Sequence, residues 1–400
     1  MRVLLTGLLL LAGCKKTEEL PKAPQSDAAV PSPSAAAPAP SARSARATCG
    51  AEPKGGVAIP ASAKATDIRI ASTETKAFVT WWEVPMGPSM RPEESAFGHL
   101  FEAGAVSPRI RIDANVEGDE PISGAAPVAV GGDLVALACN YHASEGVYTC
   151  GKRSAGGKRE SLFAFNQIGS GGPDIPGIAG IVTATDTAIF VPGNASDVLV
   201  FTASASGKRK VRAFSFHDSD KLPHADGLVA VASGADEAAV VYRATNAIQT
   251  RRTGFDETWR GNPTTLSTPK SQVGAPAAAS DGTHVVALFS ERPKASDPWH
   301  IAMTDLSTTT ALPMADQAQG PGIAARGACF VVSWVEGTGK TTRTRLGQMC
   351  NGAIDPASIT TLSAEGVEGG RAYPTKDFVV WQELPPGKPA ELRIAKLACL

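Results

Sequence analysis

One run of residues recurs along this chain, and its spacing limits the possible folds more than any other feature. It reads Phe78-Val79-Thr80-Trp81-Trp82-Glu83, then Val332-Ser333-Trp334-Val335-Glu336 and Phe378-Val379-Val380-Trp381-Gln382-Glu383, and more loosely Val285-Val286-Ala287-Leu288-Phe289-Ser290-Glu291. Degenerate copies are Leu134-Val135-Ala136-Leu137, Ala188-Ile189-Phe190-Val191 and Val240-Val241-Tyr242. With Trp81, Leu137, Phe190, Tyr242, Phe289, Trp334 and Trp381 taken as equivalent, the steps are 56, 53, 52, 47, 45 and 47 residues. Short β-branched and aromatic runs bounded by Gly, Pro, Asp and Ser are strand signals. Runs that are apolar at every position belong to strands covered on both faces. Several such strands in each period of about 50 residues predict the blades of a β-propeller.

The residues around each run fill out the repeat. Small-residue segments precede it, such as Pro127 to Val130, Gly274 to Ala279 and Gly322 to Ala325, and suit an innermost strand where blades converge. A third strand follows, for instance Trp299 to Met303 or Arg343 to Met349, and then a weaker outer one such as Ile359 to Leu362. The last copy ends on its third strand, Leu392 to Cys399, and Val57 to Pro60 is expected to supply the missing fourth. The expected fold is therefore all-β: a single propeller of seven four-stranded blades over residues 49–400, closed by an N-terminal strand. A pair of β-sandwiches is the alternative architecture.

The N-terminus reads as an address. Met1 and Arg2 precede an apolar stretch from Val3 to Leu11 and then Leu11-Ala12-Gly13-Cys14. A stretch this short is a signal-peptide core rather than a membrane span. The small residues before the cysteine resemble a bacterial lipobox, which implies a signal peptide over 1–13 and lipidation of Cys14. Residues 14–48 are rich in Pro, Ala and Ser and have little to bury, so they are expected to form a disordered tether. At about 3.1 Å per residue such a tether reaches roughly 80 to 100 Å.

Seven cysteines less Cys14 leave an even number, which in an exported chain favours disulfides. Hairpin symmetry pairs Cys139 with Cys150 and Cys329 with Cys350, and leaves Cys49 for Cys399 at the ring closure. Cys-x-x-Cys and His/Cys metal spacings are missing, and no metal or other cofactor is expected. Lys plus Arg (38) nearly balances Asp plus Glu (39), which argues against a nucleic-acid partner.

Glu83, Glu291, Glu336 and Glu383 end the repeated run at equivalent places. Carboxylates gathered on one face could bind cations or do acid–base chemistry, or each could pair with a third-strand cation such as Arg343 or Arg393. The loops beyond them, Pro85 to Pro92, Arg292 to Trp299 and Pro385 to Pro389, contain Met86, Arg91, Arg292, Trp299 and Lys388. Aromatic, Met and Arg residues on Pro-containing loops suit a protein-binding face. Two basic stretches, Lys208 to Arg212 and Arg251-Arg252 with Arg260, read as solvated loop charge. His217-Asp218-Ser219-Asp220 with His224 lacks an ordered ligand spacing. Gly337 to Thr342 looks like a phosphate loop, but Trp334 stands where another glycine is needed and a strand is expected after it, so a hairpin turn is predicted. No catalytic constellation is identified.

The lipobox, Ala/Pro linker and degenerate repeats together resemble the propeller lipoproteins of GC-rich Gram-negative bacteria, myxobacteria especially. The plan is similar to the propeller lipoprotein of the outer-membrane barrel assembly machine, but the quinoprotein-type repeats of that protein are missing, so its role is not carried over. The lipobox implies an exported chain held to the cell envelope by its N-terminal lipid, Lys15 in place of a retaining aspartate implies the outer membrane, and a monomer is expected. The expected function is a binding or scaffold module for an envelope protein or glycan. The alternative is a hydrolase or lyase acting on an extracytoplasmic polymer at the channel mouth.

Overall fold

The computed structural model describes residues 49–61, 65–83, 95–112, 125–142, 147–155, 159–166, 178–183, 186–192, 198–204, 225–244, 246–255, 259–313 and 317–399. These residues form antiparallel sheets, each built from strands consecutive in the chain. One sheet comprises Thr66–Ser72, Lys76–Glu83 and Ser95–Glu102, edged by Ala105–Val106 and Ile110–Arg111. Next come Ala126–Val130, Asp133–His142, Val147–Ser154 and Arg159–Asn166, then Ala179–Val182, Asp186–Pro192 and Val198–Ser204. The sheet of Ala225–Ala232, Glu237–Ala244, Ala247–Gly254 and Trp259–Thr265 follows. In the sheet after it, Gln272–Val273 and Ala277–Ser280 both pair with Val285–Arg292, ahead of His300–Thr304 and Thr309–Ala311. Ala318–Arg326, Cys329–Glu336 and Arg343–Cys350 carry two short edge strands, Ala353–Ile354 and Thr360–Thr361. The last sheet is Glu368–Pro374, Phe378–Leu384 and Glu391–Cys399, with Cys49–Ile59 paired to its outer side.

Every repeated run is the second strand of its sheet, and the small-residue segment before it is the first. The second strands are the most deeply buried because each is covered by a neighbouring sheet on both faces. Trp81, Phe190, Phe289 and Trp381 are fully buried. Sheet packs on sheet through clusters that pair neighbours in chain order, such as Phe190 with Tyr242 and Leu288 with Trp334. The last sheet packs on the first: Phe378, Val380 and Ile394 share a cluster with Val79, Trp81 and Phe101. Phe101 meets Phe378 edge to face at 5.9 Å. Polar side chains reinforce two of these contacts from equivalent positions. Thr80 donates to the Ala125 carbonyl at 3.0 Å and Ser333 to the Ala372 carbonyl at 3.0 Å, each reaching the next sheet. Radially packed antiparallel sheets whose first strands converge define a β-propeller.

The disulfides Cys139–Cys150 and Cys329–Cys350 cross their hairpins at directly opposed positions. Cys49 and Cys399 are also opposed in backbone register, but their side chains lie outside the described residues. The strand paired to the end of the chain is longer than Val57 to Pro60. It starts at Cys49, shifts register between Glu52 and Val57, and ends before Pro60, which has no N–H to donate. Its first half was not legible because it contains no apolar run. The Gly337 to Thr342 segment is a turn with one 3-10 stretch, Gly339–Thr341, leading directly into Arg343–Cys350.

The first strands share a feature absent from the repeat pattern. Between Thr66 and Arg69, Asp226 and Val229, Gln319 and Gly322, and Gly369 and Ala372, each carries one residue more than the strand opposite, a β-bulge at the same level in four sheets. Three of these bulges contain a left-handed residue: Asp67 (φ 45°), Gly227 (φ 58°) and Gly320 (φ 58°). Glycine adopts this conformation freely, whereas Asp67 holds it against the steric cost of its Cβ.

Candidate functional site

The four recurring glutamates fall into two groups. Glu83 and Glu383 are sealed in, with side chains 3% and 2% exposed. In both, the indole two residues earlier on the same strand face donates to the carboxylate, Trp81 at 3.2 Å and Trp381 at 3.1 Å. Glu83 also pairs with Arg109 at 2.9 Å, while Glu383 accepts the Ala364 N–H at 3.0 Å and lies 3.6 Å from Arg393. Glu291 accepts the Thr268 N–H and hydroxyl at 3.1 and 3.2 Å, with His300 at 3.4 Å. Glu336, the most exposed at 27%, pairs with Arg345 at 2.7 Å. Arg343 lies directly opposite Glu336 in register but donates to the Thr342 and Val367 carbonyls instead.

At the end of strand Val285–Arg292, Arg292 lies 4.5 Å over the ring of Trp299 in the following loop, and its Nε donates to Gln272 at 2.8 Å. A guanidinium stacked on indole and held at Nε is a preordered surface group. Lys388 sits in the turn before Glu391–Cys399, its N–H bonded to the Pro385 carbonyl at 3.1 Å. Met86 and Arg91 lie outside the described residues, as do Cys14, Lys208 to Arg212 and His217 to His224. Arg251 is tied to the Gly261 carbonyl at 3.0 Å and Arg260 faces Glu237 at 3.5 Å, so both take part in local contacts. Among the described residues no three His, Cys, Asp or Glu side chains gather as metal ligands.

A second candidate site lies where the first strands meet. They line an open cavity of about 260 Å³ whose wall is mainly Ala, Gly, Pro and Ile, with Asp67, Arg69, Arg371 and Tyr373 as its polar members. Asp67 and Arg371 enter it at two of the bulges. Arg69 is bonded to Asp67 Oδ1 at 3.0 Å and to the Leu228 carbonyl at 3.2 Å. Arg371 Nη2 donates to the Pro276 and Pro321 carbonyls, both at 3.1 Å, and the guanidinium lies 5.3 Å from the Tyr373 ring centre. Burial pushes the Tyr373 phenol up, Arg371 and Arg69 oppose that shift, and Asp67 adds to it. Sequence reading missed this group. The available signal was charge in segments that are otherwise small or apolar: Asp67-Ile68-Arg69 and Arg371-Ala372-Tyr373 occupy the place of Ala125-Ala126-Pro127.

The fold and these sites define an all-β propeller with a largely apolar central cavity that carries a few charged side chains. No protein-family model matches the chain, and no curated protein matches it in sequence. Among solved structures it is similar to the β-propeller domain of the Trilobed protease from Pyrococcus furiosus, at 9% identity over 82% of this chain and 91% of that one, with a TM-score of 0.48. The acylaminoacyl peptidase of Pyrococcus horikoshii is similar at 10% identity over 84% of this chain, which spans 52% of the peptidase, with a TM-score of 0.46. The WD40 domain of SCAP from fission yeast matches at 7% identity over 88% of this chain and 98% of that one, with a TM-score of 0.44. No activity is carried over from them.

Proposed function

We propose that this chain is an exported, lipid-tethered propeller of seven blades that serves as a binding or scaffold module for an envelope protein or glycan. In this reading Cys49–Ile59 closes the ring on the last sheet, a Cys49–Cys399 disulfide secures it, and lipid on Cys14 holds the chain to the outer membrane. The observation that carries the binding role is the use made of the repeated carboxylates. Glu83, Glu291 and Glu383 spend their lone pairs on indole, backbone, Thr, Arg and His partners of the fold itself, so their recurrence is accounted for by architecture. Arg292 and Trp299, by contrast, are held in place at a partly exposed loop, as recognition groups are.

The test uses the full chain, tagged at its C-terminus and solubilised in detergent, as bait for envelope extracts. A specific protein or glycan captured by the wild type and lost in R292A/W299A supports the reading. Polymer cleavage that is lost in E291Q while the melting temperature stays unchanged would replace it with the hydrolase or lyase alternative.

A further inference from the structure

Two arginines reach across the centre of the propeller. Arg69, on the first strand Thr66–Ser72, donates to the Leu228 carbonyl of a sheet that is not its neighbour. Arg371, on the first strand Glu368–Pro374, donates to the Pro276 and Pro321 carbonyls, in the first-strand segments of the two sheets before its own. The two strands that supply them stand side by side. Ser72 Oγ donates to Thr375 Oγ1 at 2.7 Å, and Arg69 and Arg371 lie three and four residues back from that link. Both guanidiniums therefore sit at a similar level in the cavity wall, and both act on the Tyr373 phenol.

Each of these groups keeps a donor that the fold does not use. Arg69 spends Nε and Nη2 on Asp67 Oδ1 and Leu228, and Arg371 spends Nη2 on the two proline carbonyls. Among the described residues neither Nη1 has a partner, and the Tyr373 hydroxyl has none either. Arg371 Nε and Asp67 Oδ2 are sealed away, but these three atoms retain accessible surface, and all three residues line the cavity. Two guanidiniums against the carboxylate of Asp67 leave the described side chains of the wall with one net positive charge. The rest of that wall is mainly Ala, Gly, Pro and Ile, which solvates an ion poorly and strengthens a charge-assisted bond made beside it.

We infer that this cavity binds a small aliphatic carboxylate, its oxygens accepting from Arg69 Nη1, Arg371 Nη1 and the Tyr373 hydroxyl while its alkyl group lies against the Ala, Pro and Ile wall. The two oxygens have lone pairs enough for three donors, and bonds between a carboxylate and guanidinium are of the strong, charge-assisted kind. One carboxylate neutralises the one excess charge, whereas a phosphate dianion would overshoot it. A neutral alcohol brings the same alkyl group without the charge. A volume of about 260 Å³ accommodates a carboxylate of a few carbons, and the open mouth admits it without a change in the fold. This site is separate from the Arg292–Trp299 face, and neither proposal depends on the other.

Calorimetric titration of the full chain in detergent with butyrate, 1-butanol and inorganic phosphate tests the inference. Saturable binding of butyrate is expected, with 1-butanol and phosphate weaker by about tenfold or more. Y373F, which removes only the hydroxyl, should weaken butyrate by about threefold to tenfold. R371Q, which keeps an amide donor for the proline carbonyls but removes the charge, should weaken it by about tenfold or more. Butanol or phosphate bound as tightly as butyrate, unchanged butyrate affinity in either variant, or no saturable binding at millimolar ligand would overturn the proposal. Should R371Q fail to fold, wild-type crystals soaked in butyrate decide the matter: a carboxylate within hydrogen-bond reach of Arg371 Nη1 and the Tyr373 hydroxyl supports the site, and water alone at those atoms refutes it.

Discussion

Replacing the repeated glutamates one at a time separates an architectural role from a chemical one, because their burial is graded. Glu383 is 2% exposed, accepts from the Trp381 indole and the Ala364 N–H, and faces Arg393. In E383Q an acceptor oxygen remains, but the bonds lose their charge, and each charged bond is worth about 1.5 to 3 kcal/mol. Stranding a fully buried partner would raise the loss toward about 3 to 5 kcal/mol. Arg393 is not stranded: it is 24% exposed and has Glu391 at 3.4 Å. The expected cost of E383Q is therefore about 2 to 3 kcal/mol, and E383A, which also orphans the indole and the Ala364 N–H, should cost about 4 to 5 kcal/mol. Glu336, 27% exposed with one cation, should lose less than about 1 kcal/mol on the same change to Gln. Urea unfolding followed by tryptophan fluorescence reads these differences as midpoint shifts. If E383Q unfolded at the wild-type midpoint, or E336Q lost as much as E383Q, the carboxylates would not be structural in the way their hydrogen bonds imply.

The remaining predictions concern covalent links, titration and address. In the loop-entropy view the C139S/C150S pair, whose cysteines are 11 residues apart, should lose about 3 kcal/mol, and C49S/C399S about 6 kcal/mol if that bridge closes the ring. Peptide mapping without reductant tests the pairing directly, and a free Cys49 would remove the covalent closure. Burial pushes the Tyr242 phenol up to about 12, with Arg251 partly opposing the shift. Since the folded pKa lies above the unfolded value of about 10, this contribution is complete below pH 10 and fades as pH rises toward 12. Wild type should therefore lose stability relative to Y242F across that window in alkaline unfolding, and parallel curves would refute the assignment. C14A should abolish incorporation of radiolabelled palmitate, and continued labelling would place the lipid elsewhere.

What could be read from the sequence follows how each feature is encoded. Second strands such as Phe378–Leu384 are buried on both faces, so they appear as continuous apolar runs, and a recurring run exposes the repeat. The Cys139–Cys150 and Cys329–Cys350 bridges were legible because hairpin pairing is symmetric about the turn. Bulges were not, since one added residue in a segment of Ala, Gly and Pro disturbs no visible periodicity. The partner of Glu336 was also obscured. Opposition in register points to Arg343, yet the carboxylate reaches Arg345, the neighbour two residues along on the same face, because diagonal pairs are within range of long side chains. The indole–carboxylate link was written in the sequence as Trp81-x-Glu83 and Trp381-x-Glu383, since alternate residues share a strand face.

The central cavity shows the limit of such reading. Asp67 and Arg371 stand at opposite ends of the folded chain, and neither sits in a pattern that names a ligand. Each is unusual only against the small residues that fill the same place in other copies, and that contrast becomes meaningful once first strands are known to converge. A bulge then turns both into the same space. There Arg69 satisfies half of Asp67, two proline carbonyls occupy one nitrogen of Arg371, and the fold itself has no partner for the atoms that remain. Propeller packing does not require a charge at either position, because the equivalent segment Ala125-Ala126-Pro127 carries none. Half-burying two guanidiniums and a carboxylate where alanine would serve costs desolvation. That cost is understandable if the groups act on something other than the fold.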